Sequence, residues 1–171
     1  MRPEHETEFG DFVASRSERL RQFAYICCGD WHRAEDAVQS ALLKLYLNWT
    51  KPTTSVDAYT RRIIVNTLIA QHRRFWFTRE RPSQDLPERE PDDIAGRTDD
   101  RLTVVEAMLR LPERQRAAIA LRYWEDLPVE ETARILGCSS GSVKNLTMRG
   151  LAGLRGMLSE AVLKDIEGAT S

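Results

Sequence analysis

The sequence lacks the features that mark several common classes of protein. Its three cysteines, Cys27, Cys28 and Cys138, form neither a Cys-x-x-Cys pair nor an even set, and the chain holds only three histidines. Neither a disulfide framework nor a structural zinc site is therefore expected. No apolar run approaches the roughly 20 residues that cross a bilayer, and the polar N-terminus MRPEHETEFG has no apolar signal-peptide core. We expect a cytoplasmic protein that binds no metal ion, no other cofactor and no membrane.

A strong charge of either sign is also absent. The formal net charge of −1 over 171 residues argues against a protein that coats nucleic acid by bulk charge. The acidic excess is confined to residues 81–100, which carry seven acidic and three basic side chains. Both flanking segments have a slight basic excess, which leaves room for a local basic patch on either side.

The same middle segment separates two groups of predicted helices. Residues 81–100, RPSQDLPEREPDDIAGRTDD, contain three prolines and a glycine and show no apolar periodicity, which is typical of a linker. A structureless loop of about 20 residues is uncommon inside a compact domain, so we expect two domains, residues 1–80 and 101–171. A long surface loop within one domain is the alternative.

Apolar residues recur at steps of three and four in both halves of the chain. The spacing predicts helices over residues 8–27, 31–49 and 58–77, and then over residues 102–111 and 113–124. No segment shows convincing alternation with a period of two, so no strand is expected. The predicted fold class is all-α.

Residues 127–154, LPVEETARILGCSSGSVKNLTMRGLAGL, show the clearest local plan. Pro128 suits the first turn of a helix, Gly137 suits its end, and Ser139 or Ser140 can cap a second helix. This is the layout of a DNA-reading helix-turn-helix. An ordinary αα-hairpin is the alternative. The residues of the second helix that lie mostly off its apolar face are Ser142, Lys144, Asn145, Met148 and Arg149.

Residues 58–78 combine apolar, basic and aromatic side chains. Arginines in this segment can neutralise phosphates, aromatic side chains can stack on unpaired bases, and Asn66 can contact a base edge. Taken alone, packed aromatics with a solvated arginine face explain the pattern slightly better. The side chains in question are Arg61, Arg62, Arg73, Arg74, Phe75, Trp76 and Phe77.

Sequence signs of catalysis are missing. The chain has no glycine-rich phosphate loop, no HExxH motif, no nucleophile elbow and no convincing Cys–His arrangement. The acid pairs Asp92-Asp93 and Asp99-Asp100 lie in the proline-rich segment, which could not hold a reacting group in place. We therefore expect a protein that is not an enzyme.

In combination, four stretches resemble the extracytoplasmic-function (group IV) RNA polymerase sigma factors of the sigma-70 family, and an actinobacterial SigE-type subgroup in particular. The four are GDWHRAEDAVQSALLKLY, AYTRRIIVNTLIAQHRR, LPERQRAAIALRYWEDLPVEETARILGCSSGSVKN and MRGLAGLR, in this order. The resemblance implies region 2 in residues 1–80, a linker in 81–100 and region 4 in 101–171. It also implies core RNA polymerase and promoter DNA as partners, with an anti-sigma factor as a further candidate.

The resemblance assigns roles residue by residue. Asp36, Gln39 and Leu42 are implied to face the β′ clamp helices of the polymerase, and region 4 to meet the β flap. The residues implied for the −10 element are Arg62, Asn66, Arg73, Arg74 and Trp76. Those implied for the −35 element are Ser140, Ser142, Lys144, Asn145 and Arg149. The connector 49–57 corresponds to the loop that captures a flipped base. Departures from the family pattern at Ala70, Leu146 and Gly150 leave the −35 base preference open.

Two other functions remain alternatives at this stage. A polymerase-independent helix-turn-helix regulator would bind duplex DNA alone, as a dimer on a palindrome, whereas a sigma factor alone binds such DNA poorly. An interaction protein that sequesters a partner through its helical grooves would show no dependence on DNA.

Overall fold

The computed structural model describes residues 2–49, 55–78, 100–158 and 164, with the backbone alone for 72–78 and 100–103. Within this part the chain forms only helices, as predicted, and the all-α fold class is confirmed. The helices are α1 Pro3–Cys28, α2 Trp31–Leu47, α3 Val56–Thr78, α4 Asp100–Leu109, α5 Glu113–Ile119, a π-helix Ala120–Trp124, α6 Val129–Leu136 and α7 Ser140–Arg155.

Two adjacent residues form the corner between α1 and α2. Gly29 ends α1 with a left-handed φ of 72°, a conformation that glycine adopts without a steric penalty. The Asp30 carboxylate then caps α2 by accepting hydrogen bonds from the backbone N–H groups of His32 and Arg33, at 2.9 and 3.3 Å. A Cβ on Gly29 would lie 2.4 Å from Leu109 Cδ2, so the end of α4 packs closely against this corner.

Helices α1, α2 and α3 pack together along their apolar faces. Small residues dominate the buried face of α2, including Ala34, Ala37 and Ala41. Their size lets the larger side chains of the neighbouring helices approach, with Phe23 from α1 and Ile64 from α3 fully buried. Close packing of this kind makes any change of volume here costly.

Helix α7 packs closely on α5 and on the segment just before it because glycine lies at the points of contact. A Cβ on Gly150 would lie 2.4 Å from Ile119 Cδ1, and one on Gly153 would lie 2.8 Å from Leu111 Cδ2. A side chain larger than hydrogen at position 150 would therefore collide with Ile119 unless the helices moved apart.

The predicted helix 113–124 changes its hydrogen-bonding pattern half-way. Over Ala120–Trp124 the chain forms a π-helix, and the Glu125 N–H donates to the Ala120 carbonyl at 3.0 Å. Asp126 follows with a φ of 53°, and the Leu127 N–H closes the turn on the Leu121 carbonyl at 3.0 Å. Such π turns are rare and need side-chain packing to hold them. Here the turn directs Glu125 into the interior.

The helices before and after residues 81–99 share one apolar core. Helix α3 packs against α6, and α1 packs against α4, α5 and the π-helix. The two groups of helices predicted from the sequence are therefore in contact. Most of the predicted linker lies outside the described residues, and the domain boundaries remain a prediction.

Candidate nucleic-acid and protein interfaces

Helix α7 begins at a side-chain cap. The Ser139 hydroxyl accepts a hydrogen bond from the Ser142 backbone N–H at 3.1 Å and donates to the Ser142 hydroxyl at 3.0 Å. Of the two serines that the sequence left open, Ser139 is therefore the cap. The predicted apolar face of α7 is buried as expected: Val143, Thr147, Gly150, Leu151, Leu154 and, beyond the helix, Leu158.

The opposite face of α7 presents the polar residues predicted for the −35 element. Ser142, Lys144, Asn145 and Arg149 are exposed, whereas Ser140 is half-buried. Cationic and amide side chains on an exposed helix can reach phosphates and base edges in a major groove. The geometry is that of a helix-turn-helix whose second helix is available to a duplex.

A groove of about 280 Å³ adjoins this face. Its walls carry three cationic side chains, Arg122, Lys144 and Arg155, around an apolar floor that includes Met148. Arg122 donates to the Leu127 carbonyl at 2.5 Å, so its position is fixed by the turn after the π-helix. Sequence reasoning missed Arg122 because it comes from another helix. It also missed Arg155, although the 144–148–151–155 spacing gave a signal.

Helix α3 exposes two of the residues predicted for the −10 element. Arg62 and Asn66 are exposed and lie one turn apart. The side chains of Arg73, Arg74 and Trp76 lie outside the described residues. Arg62 also lines a groove of about 300 Å³ between α3 and α6, opposite Glu131 and Arg134. The face of α3 predicted to bind the −10 element is thus bordered by the helix-turn-helix.

Arg61 has a different environment from its neighbour. Its guanidinium forms an ion pair with the carboxylate of Glu125, and the two side chains are 10% and 1% exposed. Arg19 Nε lies 3.5 Å from the other oxygen of the same carboxylate. Both interpretations of the sequence left Arg61 exposed, either to phosphates or to solvent, whereas in this arrangement it is buried and paired.

A second pair links the same two groups of helices. Arg33 lies 3.9 Å from the carboxylate of Glu113 and donates to the Leu68 carbonyl at 3.4 Å. Nearby, burial lowers the pKa of Arg116, which donates to the Leu111 carbonyl at 3.2 Å. All these contacts are charge-assisted and lie at least partly away from water, where such bonds are strongest.

The outer face of α2 carries the residues predicted to meet the polymerase. Asp36 and Gln39 are exposed, and Leu42 is half-buried against the core. Two further leucines on this side were missed: Leu43 is 59% exposed and Leu47 is 70% exposed. The run LLKLYL gave the signal, because it contains more apolar residues than one helix face can bury.

Aromatic side chains join the start of α1 to the end of α2. Phe9 packs edge-on against Tyr46 and Trp49, with ring centroids 5.2 and 5.3 Å apart, and Phe12 lies 6.1 Å from Trp49. Such pairs are favourable beyond the area they bury. They anchor the first residue of the predicted base-capturing connector, of which residues 50–54 lie outside the described part.

The vicinal cysteines are packing residues in this fold. Burial raises the pKa of the Cys27 thiol far above its ordinary value, and burial also raises the pKa of Cys28, whose thiol donates to the Asp30 carbonyl at 3.3 Å. The described residues contain no group of His, Cys, Asp and Glu that could hold a metal ion. Among them there is also no helix with the length and apolar character of a membrane span.

Comparison with known proteins identifies the family. Sigma-70 region 2 matches residues 12–78 and sigma-70 region 4 matches residues 101–154. The RNA polymerase sigma-E factor of Streptomyces coelicolor is 34% identical over 165 residues, which cover 94% of this chain and 89% of that protein. The ECF RNA polymerase sigma factor SigW of Bacillus subtilis is 27% identical, with 88% of each chain covered.

The fold has a solved counterpart. The sigma factor RpoE, co-crystallised with the anti-sigma factor NepR from Bartonella quintana, matches with a TM-score of 0.66 at 20% identity, over 94% of this chain and 97% of that one. The polymerase-independent regulator is not favoured by any of these similarities. The chain belongs to the extracytoplasmic-function group of the sigma-70 family and is an RNA polymerase-binding promoter-specificity factor.

Proposed function

We propose that this sigma factor divides promoter recognition between its two groups of helices. Residues 1–80 act as region 2 and bind core polymerase and the −10 element, and residues 101–171 act as region 4 and bind the −35 element. Residues 81–100 tether them. The observation that carries the proposal is the exposed polar face of α7, with Lys144, Asn145 and Arg149 presented by a capped helix.

On the −35 element, α7 enters the major groove with its N-terminal half. Lys144 and Arg149 contact phosphates or guanine, and Asn145 reaches a base edge. Ser140 and Ser142 lie at the helix N-terminus, where the helix dipole favours a phosphate. Arg122 and Arg155 flank the same face and add to the electrostatic contact with the backbone.

On the −10 element, α3 holds the separated strand. Arg62 and Asn66 are exposed one turn apart, and Arg73, Arg74 and Trp76 extend the same role toward the end of the helix. Arginine neutralises the backbone and an aromatic ring stacks on an unpaired base. A base leaves the duplex at a cost of a few kcal/mol, which its pocket offsets. Strand separation is therefore driven by binding energy, and no residue of the chain is catalytic.

Core polymerase binds the chain at two places. The outer face of α2, with Asp36, Gln39 and Leu42, meets the β′ clamp helices, and region 4 meets the β flap. Two weak contacts joined by a tether gain affinity from effective concentration. The near-neutral charge of the chain suits this arrangement, because the polymerase supplies much of the affinity for DNA.

The protein acts in the cytoplasm, where polymerase and promoters are found, and an anti-sigma factor is a candidate regulator. Support for such a regulator is indirect: the solved RpoE chain of similar fold is in complex with the anti-sigma factor NepR.

Transcription in vitro tests the proposal. Core polymerase purified from a Streptomyces species, with and without the chain, transcribes a library of promoter sequences. We expect Lys144→Ala and Arg149→Ala to weaken initiation from the selected promoters by roughly 1–3 kcal/mol if the lost contact is to a base. Arg110→Ala, which removes an exposed arginine outside α7, is the matched control. Unchanged initiation by both α7 variants would refute the −35 assignment.

A further inference from the structure

The contact between the two groups of helices contains a carboxylate that is almost completely buried. Glu125 is 1% exposed and faces two arginines from the N-terminal group, Arg61 and Arg19. The π-helix directs it there, because the extra residue in the turn brings the Glu125 N–H back to the Ala120 carbonyl. A buried charge is tolerated only when it is paired and hydrogen-bonded, so this contact holds only while the two groups stay together.

The same contact restricts access to α3. Helix α6 packs along α3, and Arg62 faces Glu131 and Arg134 across the groove between them. Arg61 precedes Arg62 on the helix predicted to bind the −10 strand, yet its cation is directed inward, onto Glu125. In this arrangement α3 offers DNA only part of its positive charge.

A carboxylate and a DNA phosphate are alternative partners for one guanidinium. Arginine binds both through the same planar set of N–H donors. Opening the contact without supplying another anion would leave Arg61 and Glu125 unpaired, which opposes spontaneous opening. Opening in the presence of DNA gives Arg61 a phosphate in place of the carboxylate.

We propose that Glu125 is an intramolecular competitor of promoter DNA: it holds Arg61 and keeps region 4 closed on α3, and opening releases Arg61 to bind a backbone phosphate near the −10 element. The inference rests on the proposed −10 function of α3. If a ligand binds only the open chain, its apparent affinity falls by the fraction of chains that are open. The closed chain alone therefore binds DNA weakly, and weakening the ion pair strengthens that binding.

Energy transfer between two dyes on the full chain measures the opening directly. The dyes are attached through Ala14→Cys on α1 and Ala152→Cys on α7, both exposed, with Cys28 and Cys138 replaced by serine. We expect Glu125→Gln and Arg61→Gln each to lower the transfer efficiency. The charge swap, Arg61→Glu with Glu125→Arg, made together with Arg19→Gln so that the new arginine does not face a cation, should restore it. Glu18→Gln is the control, because Glu18 pairs with Arg21 at 2.7 Å within α1, on the surface.

Binding of a short, dye-labelled, single-stranded DNA of randomised sequence supplies the second readout. We expect Glu125→Gln to bind this probe about tenfold more tightly than the unmodified chain. Arg61→Gln should open the chain but gain less affinity, since it also removes the released cation. Both effects should shrink as salt rises, because the new contact is to phosphate.

Two results would overturn the inference. One is unchanged transfer in Glu125→Gln, and the other is an opened chain with unchanged affinity for the probe. If Glu125→Gln loses helical circular dichroism, the charge-swap variant decides. A transfer efficiency like that of the unmodified chain supports the role of the Arg61–Glu125 ion pair, and a low transfer efficiency refutes it. A chain that fails to direct initiation with core polymerase refutes the proposed function instead, whatever the transfer measurement gives.

Discussion

The outer face of α2 offers a quantitative test of polymerase binding. Leu43 and Leu47 are 59% and 70% exposed in the free chain. Fully burying a leucine side chain contributes about 1.5–3 kcal/mol of favourable free energy, so these two leucines would gain stabilisation if a partner covered them. Scaled by the exposed fraction, docking of this face would gain roughly 1–2 kcal/mol from each leucine. Alanine keeps part of that area, so the double substitution Leu43→Ala with Leu47→Ala should cost about 2–3 kcal/mol of binding free energy.

This loss corresponds to a roughly 30- to 150-fold weaker affinity for core polymerase. Competition between the variant and a dye-labelled unmodified chain for core polymerase measures it. Because both leucines are exposed in the free chain, its thermal unfolding should change little. Met148→Ala is the matched control, since Met148 is 63% exposed but lies on the side of α7 that we propose faces DNA.

An affinity for core polymerase that stays within a factor of about two of the unmodified chain would refute the docking of this face. A large loss in the Met148→Ala control would refute the argument in another way, because it would show that α7 rather than α2 supplies the apolar contact.

Four further predictions concern stability. Ser139→Ala removes the cap of α7 and should lower the free energy of unfolding by about 1 kcal/mol, measured by denaturant titration; no change would show that the cap bond is not formed in solution. Gly29→Ala should cost more than about 1 kcal/mol, because φ is positive there and Leu109 blocks the new methyl group. Gly10→Ala, which meets nothing within 4 Å inside α1, should instead stabilise the chain in the same titration by up to about 1 kcal/mol. Burial raises the pKa of the Cys27 thiol in the folded chain. The free energy of unfolding should therefore be highest below about pH 8.5, the pKa of the thiol in the unfolded chain. It should fall at higher pH, since there only the unfolded chain releases the proton. Chemical denaturation of the chain and of Cys27→Ala between pH 7 and about 10 tests this, and equal pH slopes would contradict it.

Local signals made the helix-turn-helix predictable. Pro128, Gly137 and the serine cap act within a few residues, so the sequence predicted the bounds of α6 and the buried face of α7. The exposed face of α7 could be predicted in the same way, because it consists of the residues that do not belong to the apolar face. The helical character of the other segments was predictable for the same reason, with errors at the ends, such as α1 beginning at Pro3.

Long-range pairing was not predictable in this way. Arg61 and Arg62 are adjacent and chemically identical, and only packing against the π-helix decides that Arg61 is buried and Arg62 exposed. The π-helix itself has no residue pattern of its own, since ALRYW fits an α-helix equally well. Likewise, the sequence could not show that Leu43 lies more fully in solvent than Leu42, because both border the buried stripe of α2.

Reactivity of unpaired thymines to permanganate is the measurement that tests the central claim most directly. Core polymerase, the chain and a promoter selected from the library are mixed without nucleoside triphosphates. The account predicts reactive thymines near the −10 element only when all three are present, since binding energy alone separates the strands. Thymines that stay unreactive, or that react only when a nucleotide is hydrolysed, would contradict it.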